Sequence, residues 1–132
     1  MLAAAAVCMT GAGVGAADVV NATLEGHFGG TTYAVAVSGD YAYIGQGQDF
    51  VVLDVSSPNS PVELGRVVTP DLVWGVAVSG DYAYVADDYN GLVIVDVSDK
   101  EYPSLAGSYD TAGSAQNVAV SGDYAYVAEL RV

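Results

Sequence analysis

One eleven-residue string dominates the sequence, because it recurs at a nearly fixed spacing. The string VAVSGDYAYVA occupies residues 76–86 and again residues 118–128, and its first nine residues occupy 35–43. Ser38 lies 41 residues before Ser79, which in turn lies 42 residues before Ser121. Self-similarity at this period is typical of proteins in which each repeat is one supersecondary unit stacked on its neighbours. We therefore expect a repeat architecture.

Each copy of the string is predicted to be a β-hairpin. Residues 80–81, Gly-Asp, form a two-residue turn between two apolar segments, and glycine at the first central position suits a type II′ turn. On the return strand, Tyr82 and Tyr84 point to one face, whereas Ala83 and Val85 point to the other. Both faces are apolar, with large groups on one and small groups on the other. Such a sheet is expected to lie between two neighbouring sheets.

Two further strands follow each complete hairpin. In the second copy the apolar run LVIVDV at residues 92–97 has the length of a strand that is covered on both faces, and residues 104–109 form a fourth strand. The first copy has the same order, with strands at 50–55 and 62–68. Four short strands in a unit of this length are typical of a β-propeller blade.

The predicted fold class is therefore all-β, with propeller blades of four antiparallel strands. The units occupy residues 33–68, 74–110 and 115–132, the last of them truncated, and residues 24–28 form a leading outer strand. This arc contains fewer than three blades, and closed propellers typically have four to eight. We expect the 132 residues to be a fragment that the remaining blades of its own full-length chain complete.

The ends of this arc are expected to be open. Residues 24–28 precede the first hairpin without a blade of their own. The third unit stops before its apolar third strand, so the edge of the strand after Val127 lacks a neighbour. The face that carries Tyr124 and Tyr126 is then expected to lie in water.

Residues 1–17 form an apolar leader without a single charged residue. Small residues at Gly15 and Ala17, followed by Asp18, resemble a signal-peptidase site, which predicts a secreted or cell-surface protein. The alternative is a buried or disordered apolar segment. The leader is too short for a comfortable membrane span, so we expect no membrane span in the mature chain, residues 18–132.

The charge balance excludes two classes of partner. The chain has 16 acidic and three basic residues, giving a formal net charge of −13. Nucleic-acid binding needs a basic surface for the phosphates. Binding to anionic lipid head groups needs a basic patch in the same way. Neither is expected here.

The second copy contains a motif that resembles the repeat of a known family. Residues 91–98 read GLVIVDVS, and together with the preceding hairpin they resemble the LVIVD repeat. The resemblance covers about residues 24–128, and the first copy departs from it by reading FVVLD at 50–54. It implies a β-propeller in exported or cell-surface proteins of bacteria and archaea, often as one module of a larger chain. It implies no catalytic activity.

One variable position suggests a binding surface. Tyr33, Trp74 and Gln116 align two residues before the first valine of each hairpin, and Asn117 follows Gln116. In a propeller the first strand of a blade lies nearest the axis, so these side chains would surround the mouth of the channel. Aromatic and amide groups beside carboxylates suit a glycan or a peptide. The alternative is that Tyr33 and Trp74 cap the apolar core between blades.

The carboxylates allow one metal hypothesis. Asp87, Asp88 and Asn90 place hard oxygen ligands in one loop, and such ligands suit Ca²⁺. The spacing is not that of an EF-hand, and turn chemistry explains Asn90-Gly91 without a metal, so we expect no cofactor. Asp54 and Asp96 end the third strands in one register. We expect them to bond the backbone there.

The predicted function is an exported, non-catalytic β-propeller module for binding or scaffolding, whose partner is a protein, peptide or glycan at the cell surface. No residue is nominated as catalytic. The alternative is the N-terminal portion of a propeller enzyme whose catalytic residues lie in missing blades.

Overall fold

Every regular element that the structure describes is a β-strand. The computed structural model describes residues 4–10, 23–29 and 31–131. The strands are β1 (Ala4–Thr10), β2 (Thr23–Gly29), β3 (Ala34–Ser38), β4 (Tyr41–Gln46), β5 (Asp49–Asp54), β6 (Val62–Val68), β7 (Gly75–Ser79), β8 (Tyr82–Ala86), β9 (Leu92–Asp96), β10 (Ser104–Tyr109), β11 (Ser114–Ser121) and β12 (Tyr124–Leu130). The all-β prediction is confirmed. No helix that could cross a membrane occurs in the described part of the chain.

The strands form antiparallel sheets in chain order. The first sheet is β3-β4-β5-β6 and the second is β7-β8-β9-β10, each with four strands. The third sheet has two, β11 and β12, and β1 pairs with β2 in a separate two-stranded sheet. The four-stranded units predicted for the first two copies are confirmed, and the third copy contributes its hairpin.

The hairpin turns have the predicted geometry. Gly39, Gly80 and Gly122 adopt φ values of 58°, 59° and 58°, whereas the aspartates that follow them have no positive φ. Positive φ at the first central residue alone is the type II′ turn, in which glycine has no steric penalty. The turns also anchor the ends of the third strands: the Val97 N–H donates to the Asp81 carbonyl at 2.8 Å.

The first two sheets pack with large side chains against small ones. We call the side of each sheet with the hairpin tyrosines its tyrosine face and the opposite side its small face. Tyr43 and Phe50 on the tyrosine face of the first sheet belong to one buried cluster with Ala83 and Val85 on the small face of the second. The rings of Tyr43 and Phe50 stack at a centroid distance of 6.1 Å. The alternation in the repeated string thus builds the interface between units.

The small face of the first sheet is also covered. Ala42, Ile44, Val51 and Leu53 form a second cluster, with at most 2% of each residue exposed, and β1 lies against β4.

The expectation that residues 24–28 lack a partner strand is wrong, because β2 pairs antiparallel with β1. The predicted leader thus contributes a strand between residues 4 and 10. The proposed cleavage region at 15–17 lies outside the described residues, so the export leader stays a prediction.

A glycine in the fourth strand of the first sheet allows a loop of the second sheet to pack closely against it. A methyl group on Gly65 of β6 would lie 2.5 Å from the Glu101 carbonyl oxygen and 2.8 Å from Cδ of Pro103. Both residues lie in the loop between β9 and β10. The equivalent Gly107 of β10 has no atom within 4 Å of the same position. Only the first of these two glycines is therefore required for packing among the described residues.

At a second junction between units, the sizes of the two contacting side chains differ from one repeat to the next. Gly45, at the end of β4, lies so close to Val73 that a methyl group would be 2.3 Å from its Cγ1. At the corresponding junction of the next two units, Ala86 lies in one buried cluster with Ala115. A glycine–valine pair in one place thus corresponds to an alanine–alanine pair in the other, and both junctions stay buried.

The third sheet leaves its tyrosine face open, as predicted. Tyr124 is 69% exposed and Tyr126 is 60% exposed, and their rings are 6.5 Å apart.

Candidate functional site

The residues before the first strands are fixed at one end of the sheets. The Tyr33 N–H donates to the Gly45 carbonyl at 3.1 Å, and the Trp74 N–H donates to the Ala86 carbonyl at 2.8 Å. These bonds extend the β3–β4 and β7–β8 ladders by one residue. The repeat register therefore places the two aromatic side chains at equivalent points of adjacent sheets.

Tyr33 and Trp74 form an aromatic pair. Their ring centroids lie 4.7 Å apart at an interplanar angle of 48°, within the range of favourable tilted aromatic contacts. About half of Tyr33 is exposed, whereas the indole Nε1 of Trp74 is buried without a hydrogen-bond partner among the described residues. The hydroxyl of Thr32, adjacent to Tyr33, is also buried without a hydrogen-bond partner among the described residues. A buried donor without a hydrogen-bond partner costs about 1–3 kcal/mol.

Gln116 and Asn117 are placed differently. The side-chain amide of Gln116 donates to the Ser114 hydroxyl, which donates to Oδ1 of Asp88. The Asn117 side chain accepts the Val118 N–H at 2.9 Å. Of the four predicted binding residues, the structure thus brings Tyr33 and Trp74 into contact, while Gln116 and Asn117 bond the third unit itself and the preceding loop.

The loops between second and third strands lie at the same end. The backbone carbonyl of Gly47 accepts a hydrogen bond from the Val73 N–H at 2.8 Å. The backbone carbonyl of Asp88 accepts one from the Ala115 N–H, also at 2.8 Å. Val73 and Ala115 each directly precede a candidate residue, Trp74 or Gln116. The equivalent bonds at the two junctions fix loop 46–49 and loop 87–90 beside the candidate side chains.

A buried polar seam joins the units at this end. Thr69 is only 2% exposed; its N–H donates to the Gln48 carbonyl at 2.8 Å and its hydroxyl contacts the Asp71 carbonyl at 2.9 Å. The Asp71 N–H donates to Oδ2 of Asp87 at 3.1 Å. Asp87 itself is fully buried. The seam thus connects the first loop, the linker and the second loop.

Burial raises the pKa of Asp87 above its ordinary value, and hydrogen-bonding groups around it, including the Asp71 N–H, offset the rise in part. Its second oxygen, Oδ1, is buried without a partner among the described residues. A carboxylate in this position is disfavoured because charge is poorly solvated there. Asp87 is therefore the group in the seam whose protonation should affect stability.

We expect the stability difference between Asp87→Asn and wild type to depend on pH. The folded chain holds the Asp87 proton more tightly than the unfolded chain does. The contribution of this group to stability therefore falls as pH rises above its ordinary pKa. The melting temperature of the variant minus that of wild type should increase between about pH 4 and about pH 7. Thermal unfolding by circular dichroism measures it.

The control for this experiment is Asp123→Asn, which removes the same formal charge from an exposed hairpin turn. Its difference from wild type should change less over the same pH range. Equal pH dependence for the two variants would contradict a specific effect of the buried carboxyl.

Two of the three calcium candidates, Asp87 and Asp88, bond different groups, and the side-chain nitrogen of the third, Asn90, is buried without a partner among the described residues. Oδ2 of Asp87 accepts the Asp71 N–H, whereas Oδ1 of Asp88 accepts the Ser114 hydroxyl proton. Asp88 adopts φ of 46°, a left-handed conformation that aspartate tolerates better than most residues. Within the described residues, no group of three or more acidic, histidine or cysteine side chains could hold a metal ion.

Asp54 and Asp96 bond the backbone at the strand exits, as predicted. Oδ1 of Asp54 accepts the hydroxyl proton of Ser56 at 2.6 Å and its N–H at 2.8 Å. Ser98 donates the same pair of bonds to Asp96 at 2.7 and 2.9 Å. These bonds lower the pKa of both carboxyl groups. Both aspartates therefore end a strand through a side-chain turn.

Sequence reasoning did not find Thr69 and Asp71 of the polar seam, or Ser114, which bonds the neighbouring Asp88. The repeat spacing does indicate one of these residues, Thr69. Thr69 and Thr111 lie 42 residues apart, and each hydroxyl contacts the carbonyl of the residue two positions later, Asp71 or Gly113. The period thus identifies this linker threonine, but not which carboxyl group it lies near.

The repeat register agrees with a known family. The family model described as LVIVD repeat matches residues 29–69, 72–111 and 112–131. No curated protein matches the chain. The three matched segments together cover most of the sequence and correspond to the three sheets from β3 to β12. The chain belongs to the LVIVD repeat family.

Proposed function

We propose that the three sheets are blades of a β-propeller in an exported, non-catalytic binding module at the cell surface. The family supports a propeller-like repeat module. The packing agrees with it, because β7 lies against both β3 and β11, the first strands of the adjacent sheets. Export rests on the apolar leader sequence.

The proposed ligand surface is the end of the sheets that presents Tyr33 and Trp74. One observation supports it most directly: a half-exposed tyrosine contacts a tryptophan whose buried indole N–H has no partner among the described residues. An exposed aromatic ring such as that of Tyr33 binds the apolar face of a sugar ring. Because the indole nitrogen is buried, it bonds a sugar hydroxyl only when the bound ligand displaces the groups that cover it. The net charge of −13 disfavours polyanions. The proposed ligand is therefore a neutral surface glycan.

The test uses Trp74 variants of the full chain. We expect wild type to be depleted from solution by an insoluble neutral cell-wall polysaccharide, and Trp74→Ala to lose most of this binding. Trp74→Phe keeps an aromatic ring but removes the N–H, so its binding should be intermediate, about tenfold weaker for one lost hydrogen bond of typical strength. Depletion is measured by absorbance after centrifugation.

Tyr102→Ala is the matched control. Tyr102 is 75% exposed, and it lies in the β9–β10 loop at the opposite end of the second sheet. Its replacement should leave binding unchanged. Equal binding by Trp74→Ala, with circular dichroism showing that it is folded, would contradict the proposed surface.

A further inference from the structure

The loop between β8 and β9 contains the dipeptide Asn90-Gly91. Asparagine loses its side-chain amide most readily before glycine, because glycine has no side chain to hinder attack by its own backbone nitrogen. Asparagine is accordingly among the thermolabile residues of proteins. The other asparagines of this chain precede alanine, serine or valine. Asn90 is therefore the asparagine whose covalent stability depends most on how the fold holds it.

The fold closes the loop, residues 87–91, with three backbone hydrogen bonds. The Asp87 N–H donates to the Gly91 carbonyl at 2.8 Å, and the Asn90 N–H donates to the Asp87 carbonyl at 2.9 Å. The Gly91 N–H donates to the Asp88 carbonyl at 3.1 Å. Gly91 also packs closely against the next linker, since a methyl group on it would lie 2.8 Å from the Thr111 nitrogen. The attacking nitrogen is thus already bonded and its residue is fixed, so the loop must open before the nitrogen can react.

We propose that Asn90 is a site of spontaneous deamidation that is gated by opening of the loop 87–91, and that its product weakens the junction of the first two sheets. In the reaction, the Gly91 nitrogen gives its proton to water or hydroxide and attacks Cγ of Asn90. The bond between Cγ and Nδ2 breaks, ammonia leaves and a cyclic imide forms. Water then adds to either carbonyl of the imide and opens the ring to aspartate or isoaspartate. The reaction consumes water, releases ammonia and involves no oxidation or reduction.

The product places a negative charge beside a buried carboxyl group. Asp87 is fully buried and bonds the preceding linker through the Asp71 N–H, and the side-chain nitrogen of Asn90 is buried as well. Burial raises the pKa of Asp87, and the Asn90 side chain is among the groups that oppose the rise. A carboxylate in place of this amide would repel the carboxylate of Asp87. Deamidation therefore replaces a favourable neighbour of the polar seam by a like charge.

The charged groups around the loop do not neutralise the new charge. Asp71 belongs to the linker before β7, and Asp110 belongs to the linker before β11, which packs on the loop. Asp88 lies in the loop itself. Arg131 lines a cleft with Asp110 but is ion-paired with Glu129. An added carboxylate is therefore repelled by its surroundings, and this inference does not depend on the proposed glycan binding.

Ageing of the complete 132-residue chain tests the gate. The chain is incubated in mildly alkaline buffer, folded or unfolded in guanidinium chloride, and deamidation is located by peptide mass spectrometry. In the unfolded chain we expect Asn90 to react at least tenfold faster than Asn59, which precedes serine in an exposed turn. Folding should slow the reaction of Asn90 at least tenfold and that of Asn59 less. Equal rates at Asn90 in the folded and unfolded chain would contradict the gate. A rate at Asn90 no higher than that at Asn59 in the unfolded chain would overturn the site.

Asn90→Asp reproduces the aspartate product and tests its effect on the junction. The paired carboxyl groups hold a proton more tightly in the folded chain than in the unfolded chain, so their contribution to stability falls as pH rises. The melting temperature of the variant minus that of wild type should therefore decrease between about pH 4 and about pH 7. Circular dichroism measures it.

Asn59→Asp is the matched control, because it adds the same charge in an exposed turn. Its difference from wild type should change less over the same pH range. If Asn90→Asp is unfolded near neutral pH, it should refold on acidification, and failure to refold would contradict an effect of charge. A melting temperature equal to that of wild type at neutral pH would overturn the proposed weakening of the junction.

Discussion

Replacing Gly65 by alanine is expected to destabilise the fold by roughly 2–3 kcal/mol, the cost of overpacking a well-filled site. The added methyl group would lie 2.5 Å from the Glu101 carbonyl oxygen and 2.8 Å from the carbonyl carbon. Backbone atoms cannot move aside as the end of a flexible side chain can, so the β9–β10 loop must shift away from β6. Urea unfolding monitored by tryptophan fluorescence measures the loss.

Gly107→Ala is the matched control for this prediction. It changes the equivalent residue of the next repeat, where the new methyl group meets no atom within 4 Å. Alanine in a strand is intrinsically better than glycine by roughly 0.5–1 kcal/mol, so this variant should be neutral or slightly more stable. Equal losses at both positions would show that backbone conformation, rather than the docked loop, determines the need for glycine.

The second large effect is expected at Gly45 and Val73. Gly45→Ala places a methyl group 2.3 Å from Cγ1 and 2.6 Å from Cβ of Val73, and should cost about 1–3 kcal/mol. Val73→Ala alone should cost about 2 kcal/mol, because Val73 is fully buried and its truncation leaves a cavity. The double variant reproduces the alanine–alanine pair of the next junction. Its loss should be smaller than the sum of the single losses by about 1 kcal/mol or more.

A double-mutant cycle by urea unfolding tests the coupling. Val73→Ala combined with Gly107→Ala provides the comparison, since Gly107 has no atom near its added methyl group and its effect should add to that of Val73. Additive losses for the Gly45 and Val73 pair would contradict compensation of volume at this junction.

The sequence predicted the features that repeat. The Gly-Asp turns, the large and small faces and the order of four strands each follow from two or three copies of one pattern. The placement of Tyr33 and Trp74 at one register position of adjacent units follows too, whereas the contact between their rings is a finding of the structure. Period and side-chain alternation thus establish the sheets and one end of the candidate site.

Features that differ between copies could not be predicted in this way. The polar seam depends on Asp87 bonding a linker residue 16 positions away, and the neighbouring Asp88 bonds Ser114, 26 positions away. These contacts require the linker conformations, including positive φ at Asp88 and Ala112. The pairing of β1 with β2 was missed because an alanine-rich segment has little strand preference of its own. Tertiary context decides such elements.

The identity of residues 76–86 and 118–128 has a consequence for folding. During folding, β9 meets two chemically equivalent hairpins, and pairing with the wrong one gives a misregistered chain with good local contacts. Loop closure favours the native choice. About five residues separate β8 from β9, whereas about 27 separate β9 from β12, a difference of about 1.5 kcal/mol in closure entropy. The chain thus selects between identical acceptors by connection length. Lengthening the β8–β9 loop with glycine and serine should therefore increase the misfolded fraction without altering any contact between side chains.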